Sequence, residues 1–225
     1  MEVYNILNLY ACLGGNRCKW DEVAEELGIK IKVTAVELDS ELATLYKERF
    51  PNDKVIITDA HKFLLENFKD YDFIWTSPPC PTHSRLALTN KNRAKTKYPD
   101  MKLYQEVLLL KYYFTGKYVV ENVIPFYEPL IPAKKRGRHL YWTNFNLPNI
   151  EEPVNGIIGN GKNRVEKLSR FHNYDFTKYK GSQPRCKIAS NLVFYETGKT
   201  ILETALGIIK KKNERQITIF DEINR

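Results

Sequence analysis

The feature that most limits what this chain can fold into is a strict alternation of two periodicities across its first 145 residues. Short apolar, β-branched runs, "NILNLY", "IKVTAVE", "KVIIT", "YDFIWT", "KYVVENV" and "RHLYWTNF", read as strands. Between the first five lie segments of helical period. "RCKWDEVAEELG" is closed by Gly28, and "SELATLYKERF" is opened by Ser40 as N-cap and halted before Pro51. "AHKFLLENF" and "MKLYQEVLLLKYYF" complete the set. Alternation of this kind predicts an α/β fold, a mostly parallel sheet with helices on both faces. Sheets of that type bind ligands beyond the carboxyl ends of their strands. There the chain places "ACLGGN", "ELD", "TDA", "SPPC" and "ENV", all on one predicted edge.

From Asn144 to Arg164 the pattern fades into Pro, Asn, Gly and charge, which predicts an irregular insertion; "GKTILETALG" later gives a last helix, followed by "KKKNER" and a short tail. A chain of 225 residues buries one full core. The net charge of +8 resides in basic clusters, notably residues 85–102 and 134–138, which suits a polyanion because each Lys or Arg on a phosphate releases counterions. Cys12, Cys18, Cys80 and Cys186 form no CxxC pair, so free thiols are expected, with no disulfide framework and no metal site. No run of eighteen apolar residues and no signal-peptide start occur, so the expectation is a cytoplasmic protein with no membrane partner.

Three features suit a nucleoside. Gly14 and Gly15 follow the first strand and allow a tight turn and close backbone approach to a ligand, without the GK[ST] of a phosphate-binding loop. Glu37 ends the second strand, where an acid can accept both hydroxyls of a ribose. Asp59 ends the third, placed to take the amino group of an adenine. S-adenosylmethionine is a cofactor of this description.

Pro78 and Pro79 stiffen the loop that presents Cys80. Glu121 and Asn122 end an otherwise apolar strand, where an acid costs energy unless it is partnered or functional. Arg136 and Arg138 alternate before the next strand and are expected to point the same way. A thiolate, a carboxylic acid and a guanidinium are what methylation of carbon 5 of cytosine requires. The thiolate adds at carbon 6 and makes carbon 5 nucleophilic, the acid engages ring nitrogen 3, and the guanidinium holds the carbonyl oxygen. No side chain identifies the base that removes the carbon 5 proton.

In motif order the chain resembles the DNA cytosine 5-methyltransferases. "NLYACLGG" is similar to their DLFAGxGG, "VELD" to their ribose-binding strand end, "SPPCPTHS" to their nucleophile loop and "KKRGRHLYW" to their QxRxR strand, while "ENV" is unchanged. The resemblance implies a Rossmann-like S-adenosylmethionine-dependent methyltransferase fold with a minimal target-recognition insertion, acting on double-stranded DNA with base flipping. It implies Cys80 as nucleophile, Glu121 as the acid at nitrogen 3, Arg138 beside the base and Arg136 in support. Tyr10, Ala11, Gly14, Gly15, Glu37, Leu38, Asp59, Ala60, Pro79 and Asn191 would hold the cofactor, and Ser84 and Arg85 would meet backbone phosphates. Asn8, Cys12, Leu38 and Pro81 depart from the family's usual residues, Pro81 standing where glutamine follows the nucleophile.

By the same resemblance, residues 1–143 and 190–209 are the catalytic domain, 144–189 a reduced target-recognition region and 210–225 a tail. The small recognition region is compatible with a short site, weak selectivity or a specificity subunit, with Lys162 and Arg164 available to phosphate or guanine. "QITIF", Gln216 to Phe220, resembles the peptide bound by bacterial sliding clamps. Alternatives are an RNA cytosine 5-methyltransferase, an amino-methyltransferase using "SPP", and an inert nucleic-acid binder. A role in restriction–modification is equally open with one in phage evasion of a host.

Overall fold

A computed structural model describes residues 3–85, 98–150 and 163–208. Seven strands form one sheet: β1 (Val3–Leu9), β2 (Lys30–Glu37), β3 (Lys54–Ile57), β4 (Phe73–Thr76), β5 (Lys117–Val123), β6 (Lys134–Arg136) and β7 (His139–Thr143), in the order β3-β2-β1-β4-β5-β7-β6. The first five pair with one another in parallel, and β7 runs antiparallel to both β5 and β6. Helices α1 (Trp20–Leu27), α2 (Ser40–Arg49), α3 (Ala60–Asn67) and α4 (Lys102–Tyr113) connect the parallel strands in the order the periodicity predicts. The strand order reverses direction at β1, leaving β2 and β4 to diverge on either side of it. That divergence opens the crevice in which such sheets bind ligands.

Two apolar clusters flank the sheet. One joins Leu7, Leu9 and Val120 to Leu64, Val107 and Leu110 of α3 and α4. The other joins Ile6, Phe73, Trp75 and Val119 to Trp20, Val23, Ile201 and Leu202 of α1 and α7 (Tyr195–Ala205). Because both faces are covered, the central strands read as unbroken apolar runs: all four residues of β4 are buried.

Several local expectations are corrected. Asp39, rather than Ser40, caps α2, its carboxylate accepting from the N–H groups of Glu41 and Leu42. Arg136 and Arg138 do not share a strand: β6 ends at Arg136, and Gly137 and Arg138 form the hairpin turn into β7. The period-two argument therefore fails for this pair, since a turn with Gly137 at φ 52° reverses the chain between them.

Beyond the irregular stretch that ends at Arg164, the chain forms two helices for which the periodicity gave no element, α5 (Arg164–His172) and α6 (Arg185–Asn191). Leu168, Phe176, Tyr179, Ile188 and Leu192 from this segment pack with Leu13, Leu42 and Leu45. The described part of the region expected to recognise DNA is thus a layer on α2 and the loop after β1. Residues 151–162, with Lys162, and the Gln216 to Phe220 segment lie outside the described residues. Among those described, no helix is long and apolar enough to cross a membrane.

Candidate active site

The carboxyl edge of the sheet opens into a cavity of about 550 Å³. The loop after β1 supplies Tyr10 and Cys12, β2 and its sequel Glu37 to Asp39, and the start of α3 Asp59 and Ala60. The loop after β4 supplies Ser77 to Pro81 and His83, and α6 supplies Lys187, Ile188 and Asn191.

Glu37 is the post to which the β1 loop is tied. One carboxylate oxygen accepts from the Cys12 N–H (2.8 Å) and the other from the N–H groups of Leu38 (2.9 Å) and Asp39 (3.0 Å). Burial raises its pKa, opposed by these three backbone bonds. A carboxylate offers about four acceptor directions, so the three bonds leave one toward the cavity. Tyr10 (φ 55°) and Cys12 (φ 47°) adopt left-handed backbone conformations that non-glycine residues seldom take. For Cys12, where the resembling family carries glycine, the bond to Glu37 offsets part of that strain. Its thiol, pushed up to about 12 by burial and by Glu37, stays protonated.

The cavity wall includes Tyr10, Glu37, Leu38, Asp59, Ala60, Pro79 and Asn191, seven of the ten residues expected to hold a cofactor. Leu38 is 68% exposed and offers an apolar shelf between the two acidic strand ends. Asp59 caps α3 through the Lys62 N–H, which is also what lowers its pKa, and its other oxygen is 3.8 Å from Lys102. Ala11 and Gly15 line only a small neighbouring recess, and Gly14 lines neither.

The glycine pair is required for a different reason from close approach to a ligand. Gly14 has φ 66°, and a Cβ on it would lie 2.7 Å from the Tyr46 ring. A Cβ on Gly15 would lie 2.2 Å from the Val193 carbonyl oxygen. An acidic ribose acceptor, an apolar shelf and a second acid in one concave wall fit S-adenosylmethionine.

Cys80 lines the same cavity and is half-buried. Its carbonyl accepts from the N–H groups of His83 (2.9 Å) and Ser84 (3.0 Å), closing a turn that fixes the loop. Two residues of β5 hold that loop from below. Asn122 donates to the Pro78 carbonyl (2.9 Å), and Glu121, 8% exposed, accepts from the Ser77 hydroxyl (2.7 Å). The apolar strand therefore ends in Glu-Asn because both side chains engage the Cys80 loop. Burial first, and the Glu121 carboxylate second, raise the Cys80 pKa, while Lys187 on α6 works against them. At rest the thiol is protonated.

The arginines sit elsewhere. Arg136 donates to the carbonyls of Pro148 (2.6 Å) and Leu147 (2.7 Å), clipping the chain that leaves β7. Arg138 is exposed in the hairpin turn and lies outside the cavity wall. Instead the imidazole of His139 faces Glu121, Nε2 to Oε1 3.5 Å. Neither this contact nor the approach of Lys187 has a sequence signal, because both depend on how distant segments pack.

A buried acid beneath the cavity was also missed. Glu106 of α4, fully enclosed, accepts from the hydroxyls of Tyr10 and Thr76 (both 2.6 Å) and lies 3.0 Å from His61 Nδ1. It joins the ends of β1 and β4 to the start of α3, three walls of the cavity. A glutamate inside the apolar run of "MKLYQEVLLL" is the signal that marks it.

Comparison with solved structures finds a DNMT2 triple mutant of Spodoptera frugiperda, 23% identical over 53% of this chain at a TM-score of 0.38. This chain covers only 35% of the DNMT2 chain. A methyltransferase of Entamoeba histolytica, EhMeth, is 10% identical but covers 91% of this chain and 98% of its own, with a TM-score of 0.53, a likeness of fold. No curated protein matches the sequence. The family described as C-5 cytosine-specific DNA methylase matches residues 4–128, which hold the β1 loop, both acidic strand ends, the Cys80 loop and Glu121. By that match, over more than half its length, the chain belongs to the C-5 cytosine-specific DNA methylase family.

Proposed function

We propose that this protein methylates carbon 5 of cytosine in double-stranded DNA, through a covalent bond between Cys80 and a cytosine flipped out of the duplex. The observation that carries the reading is the tie between two strand ends. Glu121 accepts from Ser77 and Asn122 donates to Pro78, so the acid stands directly behind the loop that presents the Cys80 thiol to the cavity, close enough for its charge to act on that thiol. When bound along Glu37, Leu38 and Asp59, S-adenosylmethionine supplies a sulfonium methyl group for carbon 5.

Cys80 gives its proton to solvent water as its sulfur bonds to carbon 6 of the ring, and Glu121 donates to ring nitrogen 3, keeping the adduct neutral. Lys187, which favours the thiolate, lowers the cost of that first step. Once carbon 5 has taken the methyl group, loss of its proton to water expels the Cys80 sulfur and returns the nitrogen 3 proton to Glu121. Flipping is what brings the base within reach, since the thiol lies in a recess that a stacked base does not enter. Arg138, exposed on the β6–β7 turn, is placed to meet the phosphate backbone or the base edge once DNA lies across the site. Selectivity then falls to residues 144–162 and to any partner subunit.

The test uses labelled S-adenosylmethionine and duplex DNA containing 5-fluorocytosine, whose fluorine blocks the final elimination. A protein–DNA adduct stable to denaturing gels is expected from the wild type and from no Cys80→Ala preparation. An adduct that survives in Cys80→Ala overturns the assignment, and adducts formed only on the matching RNA move the substrate to RNA.

A further inference from the structure

The register of the β5–β7 pair sets Glu121 opposite Tyr141 and Val123 opposite His139. Residues two apart on one strand share a face, so Glu121 and His139 are diagonal neighbours on the same side of the sheet. The imidazole Nε2 lies 3.5 Å from Oε1 of Glu121, while the Ser77 hydroxyl holds Oε2 at 2.7 Å. Glu121 is enclosed, and the His139 side chain is about one-fifth exposed. The family pattern predicts a guanidinium near this acid. Here Arg138 is in a solvent-facing turn, and the cation that can face Glu121 is one that titrates near neutral pH.

We propose that His139 is a positioning residue that shares one proton with Glu121 and supplies the proton Glu121 presents to ring nitrogen 3. The proposal rests on the reading of Glu121 as the acid. In the resting pair the imidazolium donates its Nε2 proton toward the carboxylate. On adduct formation that proton passes to Oε1, leaving a neutral imidazole protonated at Nδ1, and Glu121 donates to the base. When the Cys80 sulfur is expelled the proton returns along the same path, so the pair is unchanged over a turnover. Groups beside the pair include the Ser77 hydroxyl, the Cys80 thiol with Lys187 beyond it, and the Tyr141 ring, whose centroid is 6.4 Å from that of His139. Of these, Ser77 and Tyr141 carry no charge at neutral pH.

The pair predicts a pH response that a purely structural histidine would not produce. With His139 present, the site keeps one transferable proton for as long as the imidazole beside Glu121 is protonated. In His139→Gln that store is gone, so the alkaline limb of the kcat profile moves toward acid by about one pH unit or more, while the Kd for S-adenosylmethionine stays within about twofold. His139→Arg supplies a charge that does not titrate and flattens the profile across neutrality.

The chain has four histidines, so the Cε1–H resonance of His139 is identified by its loss in His139→Gln and followed by NMR in the wild type and in Glu121→Gln. Its midpoint is expected to fall by about one pH unit when Glu121 loses its charge. An unchanged midpoint, or superimposable kcat profiles for wild type and His139→Gln, overturns the proposal. If His139→Gln fails to fold, assignment by selective labelling leaves the Glu121→Gln titration to decide. A wild type that forms no 5-fluorocytosine adduct overturns the methyltransferase reading, and a lowered midpoint in such a protein keeps the pair but refutes its catalytic use.

Discussion

Two glutamates end two strands of the same sheet, and they are held by opposite means. Glu37, at the end of β2, accepts from three backbone N–H groups, none of which can rotate away or titrate. Glu121, at the end of β5, is held by a serine hydroxyl and faced by a histidine, both of which can reorient and one of which exchanges protons. Backbone donors suit an acid that must stay in place and bind. Side-chain partners suit one that must give a proton and take it back. The sequence shows the two as the same feature, an acid at a strand end, and only their partners separate a scaffold from a reagent.

The comparison is sharpened first at β5. Glu121→Gln keeps the bond to Ser77 but removes the acid, so kcat for methyl transfer should fall by about 10²- to 10⁴-fold with little change in melting temperature. A loss below tenfold, measured by label incorporation, would place the chemistry elsewhere. At β2 the reverse is expected. Glu37→Ala orphans three N–H groups around the β1 loop, so stability in urea should drop by about 2–3 kcal/mol, together with loss of cofactor binding. A variant as stable as the wild type would mean the loop is fixed by other contacts.

Glu106 lies between these extremes, buried like a scaffold but bonded only to side chains. Glu106→Gln retains shape while one of its three partners loses its acceptor, and the expected result is a several-fold rise in KM for S-adenosylmethionine with kcat nearly kept. A fall in kcat alone would assign Glu106 to the chemistry instead.

The smallest effect is one of pH. Burial raises the Glu37 pKa in the folded chain above its unfolded value, so the folded state binds the proton more tightly. Stability from this group is complete below the ordinary glutamate range and is lost as pH rises through the raised folded value. Urea midpoints compared for wild type and Glu37→Gln should converge in relative terms at acid pH and separate above it. Parallel curves would show that the three backbone bonds cancel the cost of burial.

The strands and helices of the parallel half were legible because each apolar run is buried on both faces, which leaves a continuous signal in sequence. The strand-end acids and Cys80 were legible because charge or reactivity interrupts those runs. What the sequence concealed depends on contacts across long separations. The α5–α6 layer carries its apolar residues sparsely, among Lys, Arg and Asn, and gives no helical period of its own until Leu13 and Leu42 are seen to cover it. The turn at Gly137 is equally silent, because KKRGRHLYW fits one strand as well as two strands and a bend. The glycine pair was found, but its neighbours were not: Gly15 admits the Val193 carbonyl, a partner nearly the whole chain away.

That last contact bears on how the protein is made. A Cβ on Gly198 would come within 2.0 Å of the Asn16 carbonyl oxygen, so α7 seats its backbone directly on the loop after β1, next to the place where Val193 meets Gly15. Tyr179 and Gln183 likewise reach back to Asp39. The β1–α1 unit is therefore made long before its cover, and it waits for about 180 further residues, roughly 10–40 s of synthesis at ordinary rates. During that interval Leu13, Leu42 and Leu45 have no cover. A nascent chain stalled before residue 190 should be sensitive to protease in the β1 loop and unable to retain cofactor, so the competence of the enzyme waits on the arrival of α6 and α7.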